Sequence, residues 1–333
     1  MKRSGNWWLP TWDGWGLYHK PPIYYWLIML VSYVVDGSAP VVSSLATRIP
    51  SFLSSIGILI SLFFAVPIIT RRPHHPSLNL TSPLMYLAAF FPILTGTAAI
   101  FDPMQTLLLM PALILITRYF YEDTLSRKDA AWIAISIFAA TALKGLNGIL
   151  IPGFAFALHG VFSQKRFQHF RTALWIFAPA TLLSVAFYVF LDQKMGRPFT
   201  QEFFLIHHFG RSQEAMETHG GSFLYHPAVL WLGAGFFGLQ FWKLLFTTRS
   251  DWIKFGFPLT YSLAFIIFFT FSATKLPHYT WPIWAALALQ AGLLAQARHS
   301  QNDLSLKIPV YLKNFLTRVP LLIWGIGFLL LAL

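Results

Sequence analysis

Residues 46–73 read ATRIPSFLSSIGILISLFFAVPIITRRP. No charged side chain lies between Arg48 and Arg71. A helix that crosses a membrane needs about 20 mostly apolar residues, and this stretch supplies them with basic residues at both ends. Similar apolar runs follow near 83–101, 103–121, 130–143, 146–162, 172–191, 225–246, 254–272, 280–297 and 319–333. Charges and turn formers separate them, as in Arg249-Ser250-Asp251. Composition agrees: 56% of the 333 residues are hydrophobic, 17% aromatic and only 11% charged. An average soluble domain carries about 25% charged residues. A disordered chain, a collagen-like chain and an ordinary soluble enzyme are excluded. The prediction is an all-α polytopic membrane protein with a bundle of about ten transmembrane helices.

The run Ile23 to Val35 stands apart. It is too short to span, and it lies between Pro21-Pro22 and Asp36-Gly37. Runs of about 10–14 residues favour an interfacial placement, and Tyr24, Tyr25, Trp26 and Tyr33 suit a membrane–water boundary. The excess of 24 Lys+Arg over 12 Asp+Glu, a net +12, tests this. With residues 1–45 outside and ten crossings, 15 of the 24 basic residues fall on the inner side. A spanning 23–35 would reverse that bias, against the positive-inside rule. The expected organisation is therefore residues 1–45 as a periplasmic-side loop and juxtamembrane helix. Residues 46–333 form a transmembrane domain with a long outer loop at 192–224. No cleavable signal peptide is expected in residues 1–20. With no Cys, disulfides and thiolate-bound metals are excluded.

This topology gathers the unusual polar residues on one side. Lys20, Arg48, Asp102, Lys144, His207, His208, Arg211, His219, Tyr225, Lys275 and His278 all fall at outer span ends or loops. Ionisable groups beside hydrocarbon are costly and are functional candidates for that reason. Each also has a bland reading. Lys20 can snorkel, and Arg48 can be a helix-end charge. Asp102-Pro103 reads as a helix N-cap followed by proline. Lys144-Gly145 reads as a helix stop, and the histidines as loop residues. His74 and His75, in a basic inner loop, read as solvated. Taken together, cations and one acid on one face suit an anionic lipid headgroup or lipid phosphate. The aromatics Trp7, Trp8, Trp12, Trp15 and Tyr18 read as an interface belt or as stacking surfaces.

Several strings carry a resemblance. GNWWLP (5–10), HKPPIYYW (19–26), TRIPS (47–51), FD (101–102), KG (144–145), HHFGR (207–211) with His219, and SATKLPHYTWP (272–282) occur in this order. The chain resembles the polyprenyl-phosphate-sugar-dependent glycosyltransferases of the protein O-mannosyltransferase superfamily. It is most similar there to the aminoarabinose transferases that act on lipid A. The resemblance implies a GT-C fold in a bacterial inner membrane. It also implies transfer of a sugar from undecaprenyl phosphate to a lipid A, glycan or protein acceptor on the periplasmic face.

By the same resemblance Asp102 matches the acidic residue of the second outer loop and is expected to be catalytic. Lys20, Arg48, Arg211 and Lys275 are expected to hold the lipid phosphate and donor. Lys144, His208, His219, Tyr225, His278 and Tyr279 are expected to bind substrate. Cations would stabilise the charge that develops on the phosphate leaving group, and a carboxylate would orient or deprotonate the acceptor hydroxyl. No cofactor is expected. A divalent metal, which some relatives hold near the outer loops, would find imidazoles in His19, His207 and His208. The resemblance places a further span and a first acidic motif ahead of Met1's position, and the expectation is that this chain lacks both. Ser212 and Ser222 stand where relatives often have Phe and Pro. A lipid or solute transporter, and a carrier-lipid-binding relative without turnover, remain as alternatives.

Overall fold

The computed structural model describes residues 1–12, 15–71, 76–163, 165–195, 198–210, 220–234 and 256–300. A short antiparallel hairpin, β1 (Thr11–Trp12) and β2 (Trp15–Gly16), precedes α1 (Ile23–Val35). Then come α2 (Ser44–Thr70), α3 (Pro76–Asn79), α4 (Thr81–Ala88) and α5 (Phe90–Thr95). The centre of the chain forms α6 (Asp102–Glu122), α7 (Arg127–Lys144), α8 (Asn147–Val161) and α9 (Arg166–Met195). One turn, α10 (Pro198–Thr200), leads into a π-helix, Gln201–Gly210. The described remainder is α11 (Tyr225–Ala234), α12 (Phe257–Phe271), a 3₁₀ turn (Pro277–Thr280) and α13 (Trp281–Ser300).

Among the described residues α2, α6 and α9 are long and apolar enough to cross a membrane by themselves. α2 shows how such a helix serves two apolar surroundings. Ser54, Ile58, Leu62, Ala65 and Ile69 are buried, while Phe52, Ile56, Ile60, Phe64 and Ile68 are exposed. Both stripes follow helical spacing, and both are largely apolar, because lipid replaces water outside the bundle. Ser43 caps its first turn by accepting from the Ala46 N–H at 3.2 Å. Pro50 and Pro67 lie inside the helix, which bundle neighbours make tolerable.

The other helices pack in sequence: α2 on α6, α6 on α7, α7 on α8 and α9, and α8 on α12. α13 closes the arrangement by touching α2, α4, α6 and α12. It is buried nearly all round, with Ala285, Ala286, Ala288 and Leu289 at its core. Small residues let the backbones approach.

The expected span at 83–101 is broken. α4 ends at Ala88, Ala89 is extended, and α5 stops at Thr95. Pro92 is the cause. It lacks an N–H, and its ring would meet the carbonyl of the residue four back, Ala88. Trp281 then holds the short piece, donating from Nε1 to Thr95 Oγ1 at 3.1 Å. The remaining runs appear as helices close to their expected places, the described part of 225–246 being α11. Residues 319–333, His74 and His75 lie outside the described residues.

The two ends of the bundle differ chemically. At the end where α2 and α6 finish, Arg71 pairs with Glu122 at 2.8 Å. Arg118 pairs there with Asp129, and Lys165 with Asp123. These cations, counted from sequence among the inner topology signals, are tied to the ends of α6 and α7. The opposite end holds Asp102, Lys144 and His278, which pair across it.

Candidate functional site

α6 begins at Asp102, with Pro103 in the next position. The residue in the cap position is Phe101, and no side chain caps the helix. The N-cap reading of Asp102 is therefore not what forms. Its carboxylate turns across to α7, where Lys144 Nζ donates to Oδ1 at 2.5 Å. Both side chains are sealed, with exposures of 3% and 8%. Such a pair costs desolvation, which its mutual attraction and hydrogen bond offset.

Local backbone puts Lys144 there. α7 stops at Gly145, whose φ of 121° and ψ of −166° only glycine adopts without strain. The Gly145 N–H closes the turn on Thr141 O at 2.8 Å. Tyr188 of α9 donates to the same carbonyl at 2.5 Å. The helix-stop reading of Lys144-Gly145 and a role for the ammonium thus hold together. One turn deeper, Gln105 and Asn147 form a second rung, with Gln105 Nε2 donating to Asn147 Oδ1 at 3.0 Å.

The 3₁₀ turn Pro277–Thr280 completes the cluster. His278 Nε2 lies 3.9 Å from Asp102 Oδ2, and its side chain is 29% exposed. The Lys144 ammonium sits 5.4 Å above the Tyr279 ring, a favourable cation–π placement. Tyr279 itself stacks between Phe269 at 4.4 Å and His226 at 6.2 Å. Four expected residues, Asp102, Lys144, His278 and Tyr279, are therefore one constellation. Half-buried Tyr225 sits beside it, edge-on to His226 at 5.2 Å.

Lys275 behaves differently from the phosphate-binding expectation. It is 6% exposed, and its ammonium donates to the carbonyls of Phe269 (3.2 Å) and Thr270 (2.5 Å). It caps the C-terminus of α12, a place that favours a cation. Burial pulls its pKa below the ordinary lysine value. Lys275→Met is expected to lower stability by about 1–2 kcal/mol, from two carbonyls left without a donor. Thermal unfolding in detergent checks this, and an unchanged midpoint would refute the capping role.

Lys20 is half-buried just ahead of α1. The preceding His19 faces His207 of the π-helix, ring centres 5.2 Å apart. Ahead of it, Trp8, Leu9 and Tyr18 pack against a cluster that includes Tyr188, Leu191 and Met195 of α9. Trp8 meets Trp26 and Phe190 edge-on, both at 5.4 Å. Arg48 is exposed on the second turn of α2. Arg211, His219 and the side chain of His208 lie outside the described residues. Among the described residues no three His, Asp or Glu side chains cluster as a metal site.

The fold has known counterparts. ArnT from Cupriavidus metallidurans in the apo state superposes with a TM-score of 0.73 at 20% identity, covering 91% of this chain and 54% of that one. The same protein bound to undecaprenyl phosphate gives 0.72 at 20% identity, covering 89% and 53%. The fold is that of ArnT.

The predicted all-α GT-C bundle is thereby established. The chain is a multi-pass membrane protein. By sequence it is similar to undecaprenyl phosphate-alpha-4-amino-4-deoxy-L-arabinose arabinosyl transferases. That of Yersinia enterocolitica serotype O:8 / biotype 1B is 24% identical over 341 residues, 98% of this chain and 59% of that protein. That of Yersinia pestis (strain Pestoides F) is 24% identical over 317 residues, 92% and 54%. The chain thus spans little more than half the length of the ArnT-like relatives it matches. No family model matches it.

Sequence reasoning missed Gln105 and Asn147, and also Ser51 and Tyr24, which hydrogen-bond each other beside Ile100 and Phe101. A signal existed for two of them. Tyr24 lies in HKPPIYYW and Ser51 ends TRIPS, strings quoted for their order and not for their chemistry.

Proposed function

We propose that the chain acts in sugar transfer from undecaprenyl phosphate to an acceptor at the end of the bundle that carries Asp102. That end would face the periplasm of a bacterial inner membrane. The observation that carries this reading is the Asp102–Lys144–His278–Tyr279 constellation on an ArnT fold. A buried carboxylate holding one cation and facing an imidazole orders a site where a lipid phosphate leaves and a hydroxyl attacks. Asp102 is too enclosed to touch an acceptor in this conformation. It serves by fixing Lys144 and orienting half-open His278, which can reach a hydroxyl. Lys20 supplies positive charge for the carrier phosphate, and Arg211 would add to it from the long loop. The relatives' names make an aminoarabinose carrier the first donor to try, and the sequence resemblance makes lipid A the first acceptor. His19, His207 and His208 are where a divalent ion, if one is used, would be sought.

The test is transfer of radiolabelled sugar from undecaprenyl phosphate to lipid A in vesicles holding the chain. Lys20→Ala is expected to cut transfer about a hundredfold, as loss of one charge-stabilising donor does. Undiminished transfer in that variant would remove Lys20 from the site. Movement of the carrier lipid across the vesicle wall without transfer would favour the transporter reading instead.

A further inference from the structure

Tyr24 is 1% exposed, although it lies on the 13-residue α1 whose Leu30, Tyr33 and Val34 stand open. Its ring packs at a tilt against Phe101, with centres 4.4 Å apart. Its hydroxyl meets Ser51 Oγ of α2 at 2.6 Å. Ser51 in turn donates to the carbonyl of Ile100 at 2.8 Å. A serine hydroxyl has one hydrogen, so Tyr24 is the donor in the first bond. Ile100 and Phe101 are the two residues immediately before Asp102. Both are thus held from α1, one through a hydrogen-bond relay and one through ring contact. Tyr25 adds an edge-on contact to the same Phe101 ring at 5.7 Å. Burial raises the Tyr24 phenol above its ordinary pKa; the Ser51 bond opposes this, and the nearby Asp102 charge adds to it.

A phenylalanine would fill this space without burying a hydroxyl, and a buried hydroxyl is tolerated only when it is bonded. The relay therefore uses an atom that packing alone does not need. We propose that Tyr24 is a positioning residue that locks α1, the helix that follows Lys20, to the Asp102 turn. The phosphate-binding and proton-handling ends of the site then keep one spacing. This rests on the roles given above to Lys20 and Asp102. It accounts for three sequence strings at once, since Tyr24, Ser51 and Phe101 come from HKPPIYYW, TRIPS and FD.

Hydrogen–deuterium exchange on the whole chain in lipid nanodiscs tests it, with Tyr24→Phe and Ser51→Ala, each with and without undecaprenyl phosphate. Residues 98–104 are expected to exchange about fivefold faster in both variants, the effect of one lost hydrogen bond, with little change in melting midpoint. Undecaprenyl phosphate is expected to slow exchange at 19–23 in every form, but at 98–104 only in the wild type. Exchange at 98–104 equal to wild type in both variants would overturn the proposal. So would lipid protection that still reaches 98–104 in Tyr24→Phe, or a uniform rise in exchange with a fallen midpoint, which marks a packing role. If the wild type gains no protection from undecaprenyl phosphate, the carrier reading fails. The lipid-free comparison then decides the coupling by itself.

Discussion

Asp102→Ala is expected to destabilise the chain by about 3–5 kcal/mol, the cost of stranding one member of a buried ion pair. The argument starts from position. Lys144 is sealed at the end of α7, and its ammonium is held by Asp102 at 2.5 Å. Without the carboxylate, the charge has the Tyr279 face and little water. Lys144→Ala strands the carboxylate and should cost a similar amount. The double variant Asp102→Asn with Lys144→Met removes both charges and is expected to recover most of the loss, because neutral replacement of a buried pair is often harmless. Thermal unfolding of the three variants measures this. A double variant as unstable as the singles would show that packing dominates the junction. Sugar transfer should be lost in all three, since recovery of stability does not restore the oriented His278. Transfer by the double variant near the wild-type rate would remove the pair from the reaction.

The second large effect is expected at Gly148, in the first turn of α8. A Cβ there would stand 2.6 Å from Thr141 N and 2.8 Å from Ala140 C, both in the α7 backbone. Backbone cannot step aside as a side chain can, so α8 itself must move. Gly148→Val is expected to cost about 3 kcal/mol, the upper end of the usual overpacking range. The displacement carries Asn147 away from Gln105 and disturbs the turn that sets Lys144. Gly153, farther along α8, is the control: a Cβ there meets the Phe177 ring at an ordinary 3.7 Å. Gly153→Ala should unfold at the wild-type temperature. Equal midpoints for Gly148→Val and the wild type would show that α7 and α8 have room to separate.

The class of fold was legible because lipid imposes a simple rule on sequence. Backbone groups must be satisfied within each segment, so a long, uniformly apolar run in lipid is a helix, and 49–70 is one. The break at Ala88 was legible in principle, since Pro92 stands four residues later. It was missed because hydropathy alone cannot separate one span from two short helices. The candidate site was legible as a set of residue types on one side. Its internal pairing was not. Asp102 and Lys144 are 42 positions apart, and each had a complete local explanation, as a helix cap and as a helix stop. The local explanation held for Lys144-Gly145. For Asp102 it gave way, because Phe101 takes the cap position and the carboxylate pairs with an ammonium that would otherwise be buried alone.

Sequence by itself determined that this chain lies in a membrane as helices and collects its unusual charges at one end. Hydropathy and charge act on each segment separately, so they can be read segment by segment. Only the tertiary structure decided which charges meet. It set Lys275 on the carbonyls at the end of α12, paired Asp102 with Lys144 beside His278, and brought Tyr24 through Ser51 to the turn before Asp102. Those partnerships depend on ångström distances between helices that packing sets, and no spacing along the chain encodes them.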